Sequence, residues 1–497
     1  MMSDNTKRLT IAIAGASGFV GQGVIRKLVG KHNIVGLSRS TGPQIAGVTW
    51  RTCDLFSLKE AELALANCDI AIYLVHSMLP SARLTQGRFD DLDLLIADNF
   101  SQSAKKNGIK KIIYLGGLIP DGELSLHLKS RREVEDALAG HGVPCITLRA
   151  GLVVGANGSS FDMMRKLVER LPMMVCPKWT TTKSQPISLD DVTTLISNVV
   201  NDEDLAPGAY DVGGKDVLTY IEMMRTTAET LGKKRFFVPV GLFSPKFSRL
   251  WVRLVTGAPK QLIGPLVESL RHPMIARNDD LMRRYGIEPS SFKSSLQVAL
   301  SNQIRTSKAT DRSSKGANAS TRLNRPGTVN TVCSVQRLPL PEGRDAAWVA
   351  SKYASWLIQF LYPLIRVERA ESGSLRLMLG LGFKRFSICL LQLNYAAERS
   401  SSHRQLFYIQ GGILLSSSAT PKGRFEFREV LAGQYVMAAI FDFIPALPWW
   451  IYKSTQALLH LFVMWAFKVE LMRQHSPRRD EESSPSLGEG KTSRINS

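Results

Sequence analysis

Apolar runs of strand length alternate with amphipathic segments through the first 150 residues of the chain. The strand-like runs cover residues 9–14, 32–37, 48–51, 69–75 and 111–115. Between them, apolar side chains recur every three or four residues, as on one face of a helix, for example in residues 20–28 and 91–107. This alternation predicts an α/β fold, a Rossmann-type doubly wound parallel sheet with helices on both faces.

The pattern changes after residue 330. Strand-like runs then follow one another across short polar turns, at residues 374–380, 384–395, 404–415, 423–430 and 434–443. Because no helical periodicity separates them, they predict an antiparallel sheet. A helix over residues 346–362 precedes them, and a long apolar helix over about 448–472 follows. We therefore expect a C-terminal α+β domain of helix-grip type, similar to START-like lipid-binding domains, with an apolar cavity.

The turn after the first strand carries three glycines, Gly15, Gly18 and Gly21, at the spacing GxxGxxG. A strand before the turn and a helix after it are the context of a dinucleotide-binding loop. A pyrophosphate in such a loop sits against bare backbone N–H groups at the positive end of the helix, and a Cβ would hold it away. The glycines predict a nucleotide site, and a tight turn without a ligand is the alternative.

The next two strand ends bear on the kind of nucleotide. The second strand runs into Arg39, at the position where NAD-selective domains carry an acid. Because a guanidinium suits a 2′-phosphate, Arg39 favours NADP(H) over NAD(H), and an exposed surface arginine is the alternative. Asp54 follows the third strand. It could accept a hydrogen bond from the adenine amine, or it could be the N-cap of a helix over residues 57–65.

These segments resemble the extended, atypical short-chain dehydrogenase/reductase superfamily, and within it the NmrA-like NAD(P)-binding bacterial proteins. The resemblance lies in residues 15–21, 114–117, 148–151, 160–172, 185–192 and 266–272 and extends into 331–470. It implies an oxidoreductase with NADP, or NAD, as cofactor. The cofactor-binding residues that we predict are Gly15, Ser17, Gly18, Phe19, Val20, Gly21, Arg39, Asp54, Leu55, Leu74, Val75 and Gly116.

The active-site residues of that superfamily are replaced in this chain. The superfamily places a Tyr and a Lys four residues apart on one helix face, and here the two positions hold His127 and Arg131. Gly116 and Gly117 stand where a Ser or Thr is usual. Either His127 is a general acid and Arg131 replaces the lysine ammonium, or the site binds a nucleotide without reducing anything. A polar residue near a helix N-terminus is the plain alternative for His127.

Composition and charge narrow the function classes. The chain has 497 residues and a net charge of +20, which permits attraction to anionic lipid or nucleic acid. No helix-turn-helix, zinc finger or aromatic–basic RNA motif accompanies the charge, so we do not predict nucleic-acid recognition. The six cysteines have no metal-ligand spacing. They predict reduced thiols and no metal site, and with no signal peptide before the first strand they indicate a cytoplasmic protein.

The C-terminal helix is the only candidate for membrane contact in the sequence. Lys453, His460 and Lys468 interrupt its apolar residues, so it lacks the run of ~18 uncharged residues that a span requires. We expect a core helix of the second domain. The alternative is an interfacial helix, because tryptophans and flanking cations suit a membrane surface, and it would make the protein membrane-peripheral.

The predicted organisation has five parts. They are a Rossmann domain at 8–150, a substrate-covering part of the same fold at 151–301, a disordered basic linker at 302–329, a C-terminal α+β domain at 330–474 and a disordered tail at 475–497. Three functions fit this organisation. One is an NADP-dependent reductase of an apolar carbonyl or quinone-like molecule, another is a non-catalytic nucleotide sensor or assembly factor, and the third is a lipid-binding protein.

Overall fold

The computed structural model describes residues 8–40, 42–76, 84–240, 268–314, 331–363, 365–380, 387–416 and 423–475. Its strands are β1 (Thr10–Ala14), β2 (Asn33–Ser38), β3 (Val48–Thr52), β4 (Ile70–Tyr73), β5 (Leu84–Gln86), β6 (Lys111–Gly117), β7 (Cys145–Ala150), β8 (Val153–Val154), β9 (Met173–Pro177), β10 (Lys183–Ser184), β11 (Ile187–Ser188), β12 (Gly208–Val212), β13 (Leu218–Thr219), β14 (Phe236–Val240), β15 (Val332–Pro339), β16 (Ile365–Arg369), β17 (Leu375–Gly380), β18 (Ser387–Tyr395), β19 (Arg404–Gly411), β20 (Arg424–Val430) and β21 (Tyr435–Phe443). Its helices are α1 (Phe19–Leu28), α2 (Leu58–Ala64), α3 (Phe89–Lys106), α4 (Leu126–Ala139), α5 (Ser159–Arg170), α6 (Leu189–Asn201), α7 (Tyr220–Thr230), α8 (Asp280–Arg284), α9 (Phe292–Ser314), α10 (Ala346–Leu361), α11 (Trp449–Ser454) and α12 (Gln456–His475).

Seven parallel strands form the first sheet, in the order β12-β7-β6-β4-β1-β2-β3. Strand β1, an interior strand, pairs with β2 on one side and with β4 on the other, and its apolar residues are buried on both faces. The predicted Rossmann-type fold is confirmed. The strand order reverses beside β1, and in open parallel sheets this reversal places ligands outside the carboxyl ends of the neighbouring strands.

The second sheet has the order β16-β17-β18-β19-β20-β21-β15-β5, and β15 to β21 pair antiparallel. The predicted α+β domain of helix-grip type is confirmed, because α10 and α12 pack on one face of this antiparallel sheet. Strands β15 and β16 were not predicted, and the expected single C-terminal helix is broken at Thr455 into α11 and α12. Aromatic rings of α10, α12, β19 and β20 fill the face that the helices cover.

Helix α3 lies between the two sheets, and 14 of its 18 residues are buried. One side packs on the first sheet, while the other meets Cys333, Met437 and Phe441 on the outer face of the second sheet. Strand β5, which follows β4 in the chain, adds to the edge of the second sheet by pairing in parallel with β15. The two sheets are therefore packed against each other around a shared helix.

Buried ion pairs cross this contact. Arg428 on β20 is 3% exposed and lies 3.2 Å from Asp98 of α3, and it also donates to Asn99. Arg337 on β15 lies 2.7 Å from Asp91 of α3 and donates two hydrogen bonds to Glu133 of α4. Since burying any of these charges alone is costly, the pairs specify how the sheets dock.

Several smaller predictions meet the described residues only in part. Helix α9 continues to Ser314, so residues 302–314 are helical where a disordered linker was predicted, and residues 315–329 lie outside the described part, as do 384–386 and the tail from 476. All six cysteines are free. Among the described residues no group of side chains could hold a metal ion. Within the same residues, no helix combines the length and hydropathy that crossing a membrane requires.

Candidate functional site

The glycine loop between β1 and α1 has a shape that two of its glycines make possible. Gly15 has φ +84°, and a Cβ there would lie 2.9 Å from the carbonyl oxygen of Leu74. A Cβ on Gly21 would lie 2.3 Å from the carbonyl oxygen of Gly15. The Gly18 N–H donates to that same carbonyl at 2.9 Å. The loop therefore turns back tightly over the end of β1, as a phosphate-binding loop does.

The N-terminus of α1 has the features of an anion site. Its N-cap is Gly18, which offers no side-chain cap, and no acidic residue lies in its first turn. Helices α2, α4 and α6 are capped by the hydroxyls of Ser57, Ser125 and Ser188, and α3 and α5, which also lack a side-chain cap, carry acids in their first turns. Ser17 and Gly18 are exposed. The free N–H groups of α1 and its positive dipole end thus point to solvent, where an anion such as a pyrophosphate would satisfy them.

The other predicted cofactor residues lie at neighbouring strand ends. Arg39 follows β2 and is exposed, and Asp54 follows β3, which pairs with β2. The Asp54 carboxylate accepts a hydrogen bond from the Phe56 N–H at 3.2 Å, and the N-cap of α2 is Ser57. The N-cap alternative for Asp54 is therefore wrong, because helix α2 begins later than that alternative required.

The remaining members of the predicted set differ in exposure. Phe19 and Val20 in α1, Leu74 and Val75 after β4, and Gly116 in β6 are half-buried, whereas Leu55 is buried. Gly155 and Gly158 leave room for the Phe19 ring, since a Cβ on either would lie 2.8 to 3.1 Å from that ring. Phe19 thus packs against the start of α5, which joins the glycine loop to the far wall of the site.

His127 lies in the first turn of α4, two residues after the N-cap Ser125. Its ring is half-buried, and its Nδ1 has no hydrogen-bond partner among the described residues. Burial, followed by the Arg131 cation and His76, lowers the pKa of His127 to about 3. The imidazole is neutral near neutral pH, so it can donate a hydrogen bond from one ring nitrogen but is not an imidazolium acid.

Arg131 lies one helical turn after His127, and its guanidinium is committed to a buried ion pair. Its Nη2 lies 2.9 Å from Asp93 Oδ2, and the two side chains are 10% and 1% exposed. Its Nε has no partner among the described residues. Burial raises the pKa of the nearby Tyr114 to about 12, so that phenol stays protonated. Arg131 therefore supplies a fixed positive charge beside His127.

His76 is a residue of the site that sequence reasoning missed. It follows β4 and lies near both His127 and Arg131. Desolvation of its ring, followed by the Arg131 cation, lowers its pKa. The signal was present in the sequence, because a histidine directly after a buried parallel strand lies at the edge where such sheets bind ligands. The site thus contains two neutral imidazoles and one cation.

A cavity of about 330 Å³ opens beside these side chains. Its floor is the end of β6, where a Cβ on Gly116 would lie 3.0 Å from the Tyr114 ring and 3.2 Å from Thr147. Its far wall is apolar and includes Met163, Met164, Leu167, Trp179, Tyr220 and Met224. The Trp179 and Tyr220 rings meet edge to face at 5.9 Å. The cavity therefore suits a small apolar molecule with one polar end near His127.

No protein-family model matches the chain. Sanguinarine reductase of Eschscholzia californica is 26% identical in an alignment of 261 residues that covers 43% of this chain and 92% of that protein. Auxiliary protein GraX of Staphylococcus aureus is 26% identical over 182 residues, 35% of this chain, and the match spans 55% of GraX. The Citrobacter sp. triphenylmethane reductase complexed with NADP(H) aligns over 58% of this chain and 99% of its own with a TM-score of 0.47 and 18% identity.

The match with sanguinarine reductase covers nearly all of that protein. Together with the glycine loop and the strand order of the first sheet, it confirms the predicted resemblance to the atypical short-chain dehydrogenase/reductase superfamily.

Proposed function

We propose that this protein is an NADP(H)-dependent reductase of the atypical short-chain dehydrogenase type, acting on a small apolar carbonyl or quinone-like molecule. The observation that carries the proposal is the pairing of two features at one sheet edge. An uncapped helix N-terminus behind Gly15 fits a pyrophosphate, and an apolar cavity with His76, His127 and Arg131 at one end fits a substrate. When bound, NADPH supplies the hydride.

Arg39 supports NADP(H) rather than NAD(H). It is exposed at the end of β2, where an acid would hold the ribose hydroxyls of NAD. A guanidinium there pairs with the 2′-phosphate through charge-assisted hydrogen bonds.

His127 acts as a neutral hydrogen-bond donor in this proposal. An N–H of its ring, facing the cavity, orients a substrate oxygen, and the fixed charge of Arg131 favours negative charge that develops on that oxygen. The pKa of His127, about 3, is well below the neutral range, so proton donation by an imidazolium is not part of this scheme. The proton that completes a reduction comes from solvent, and the methionine and leucine wall keeps other water away.

A second candidate is a nucleotide-binding protein without turnover. It is supported by the replacement of the superfamily's Tyr and Lys and by the ion pair that ties Arg131 to Asp93. Lipid binding by the C-terminal domain stays a prediction, and the rings that fill the covered face of its sheet count against a large cavity there.

The test has two stages. NADPH is first titrated into the wild-type protein and into Gly18→Val. The valine side chain would fill the loop surface where the pyrophosphate is proposed to bind, and because Gly18 is exposed and outside the core, the variant should still fold. We expect the wild type to bind NADPH and Gly18→Val not to bind it, with equal far-UV circular dichroism spectra for the two proteins. Retained NADPH binding by Gly18→Val contradicts the site.

The second stage follows NADPH oxidation with a panel of quinones and aromatic ketones. We expect turnover that His127→Phe lowers about 10²-fold or more without weakening NADPH binding, because a positioned hydrogen-bond donor is removed. NADPH binding with no turnover on any member of the panel would decide for the second candidate.

A further inference from the structure

The outer face of the C-terminal helices is unusually apolar. Eighteen large apolar side chains are strongly exposed among the described residues, and nine of them belong to α10, its C-terminal end, α11 and α12. Those nine, which we call the aromatic face, are Ile358, Phe360, Tyr362, Trp450, Leu458, Leu459, Phe462, Trp465 and Met472. Of the other nine, Met173, Phe236 and Val238 lie together on the paired strands β9 and β14, and the remaining six are scattered. Single exposed apolar residues are ordinary, whereas a cluster marks an interaction surface.

The aromatic face is continuous. Leu458, Leu459, Phe462, Trp465 and Met472 recur at helical spacing along α12. The Phe462 ring lies 6.0 Å from the Trp465 ring and 6.0 Å from the Phe360 ring of α10.

The opposite side of α12 explains why these residues are not simply core. Val463, Met464, Phe467 and Leu471 are buried against the second sheet. The helix is therefore anchored on one face, as a core helix is, and its other apolar face remains open. The core helix that the sequence predicted is therefore present, and its exposed apolar face leaves the interfacial alternative open.

Charges around the aromatic face are cationic. Lys453, Lys468 and Arg473 of α11 and α12 are exposed. The only acid in these two helices, Glu470, lies 3.4 Å from Lys352 of α10 in an ion pair. Lys453 also lies 5.6 Å from the Trp449 ring centre. Tryptophan and tyrosine beside lysine are the combination that binds the headgroup region of a bilayer.

We propose that the aromatic face docks this protein on the surface of an anionic lipid membrane. Trp450, Trp465 and Phe462 enter the boundary between headgroups and acyl chains, and Lys453 and Lys468 contact lipid phosphates. A protein partner or a second copy would bury the apolar residues equally well. The cations at the edge, with their one neighbouring acid already paired, favour a negatively charged surface.

The experiment is co-sedimentation of the full chain with lipid vesicles. Vesicles of phosphatidylcholine with about a quarter phosphatidylglycerol are compared with pure phosphatidylcholine, and we expect binding mainly to the anionic vesicles. Replacing Lys453 or Lys468 by Gln should weaken that binding about fivefold each, from about 1 kcal/mol per cation near such a surface. The matched control Lys59→Gln, exposed on α2, should leave it unchanged.

The apolar contribution is tested with side chains of matched exposure. Trp465→Ser, 61% exposed, should weaken vesicle binding roughly tenfold or more, whereas Phe236→Ser, 70% exposed on β14, should not. Leu459→Ser, 53% exposed, should likewise weaken it, in contrast to Leu63→Ser, 65% exposed on α2. Because all four side chains are exposed, the variants should keep the wild-type unfolding midpoint.

Three results would overturn the proposal. They are failure of the wild-type chain to sediment with anionic vesicles, equal binding by Trp465→Ser and Phe236→Ser, and equal binding to neutral and anionic vesicles. Sedimentation velocity without vesicles provides a further check. A concentration-dependent dimer that Trp465→Ser abolishes would assign the aromatic face to a second copy of the chain instead.

Discussion

The low pKa of His127 has a consequence for stability that can be measured without a substrate. An unfolded histidine titrates near 6.5, whereas the folded protein holds the pKa of His127 at about 3. Below pH ~6.5 the unfolded state therefore binds a proton that the folded state refuses, so the group lowers stability as the pH falls toward 3. At pH ~5 the full shift corresponds to about 2 kcal/mol, and water around this half-buried ring reduces it to about 1–2 kcal/mol.

The variant His127→Phe removes this titration and keeps an aromatic ring in the same place. We expect the free energy of unfolding, from urea titrations between about pH 7 and pH 5, to fall less in the variant than in the wild type by about 1–2 kcal/mol. The pKa values of His32, which is buried, and of His460, which is half-buried, are also lowered by burial, and both residues contribute equally to both proteins. Phe89→Leu is the control, because the Phe89 ring lies 6.5 Å from that of His127 and does not titrate.

The control should shift stability by the same amount at every pH. If wild type and His127→Phe lose stability in parallel on acidification, the imidazole is not shielded as described. His127 would then act as an imidazolium acid and not as a neutral hydrogen-bond donor. In that case the activity of the protein would fall as the pH rises through neutrality.

Two further predictions concern the cofactor and the contact between the sheets. Arg39→Ala should weaken NADPH binding by about 1–3 kcal/mol and leave NADH binding unchanged. The control Arg26→Ala, at an exposed position on α1, should change the binding of neither cofactor. Calorimetry that finds the same loss of binding for both cofactors would contradict the 2′-phosphate role of Arg39. Arg428→Met should lower the free energy of unfolding by about 3–5 kcal/mol, because it leaves buried acids without their cationic partner. Arg283→Met, which removes an exposed ion pair, should lower it by less than about 1 kcal/mol. Similar urea midpoints for these two variants would refute the importance of the buried pair.

The first sheet was predictable because its strands are buried on both faces and are separated by regular amphipathic helices. An apolar run such as that of β1 can be interpreted only as a buried strand, and the glycines after it predict a tight turn. In the second sheet, β16 was missed because three of its five residues, Arg366, Glu368 and Arg369, are charged or exposed at the edge of the sheet. This segment forms a strand because it pairs with β17, and the local sequence of β16 alone does not predict that pairing.

The site was predictable in position but not in protonation. Spacing placed His127 and Arg131 on one helix face, and the structure keeps them together. The pKa of His127 depends first on burial, which distant parts of the chain provide, and then on the Arg131 cation and His76. The partner of Arg131, Asp93, comes from α3, and nothing in the spacing of a single helix identifies it.

The position of α3 between the two sheets bears on how the chain is made. Asp91 is paired with an arginine 246 residues later in the chain, and Asp98 with one 330 residues later. At about 5–20 residues per second, the ribosome delivers these arginines roughly 10–70 s after α3 has emerged. Through that interval the outer side of the helix is uncovered, and its ionised carboxylates keep it hydrated. We therefore expect the same acids that later pair with the second sheet to help keep the nascent first half from aggregating.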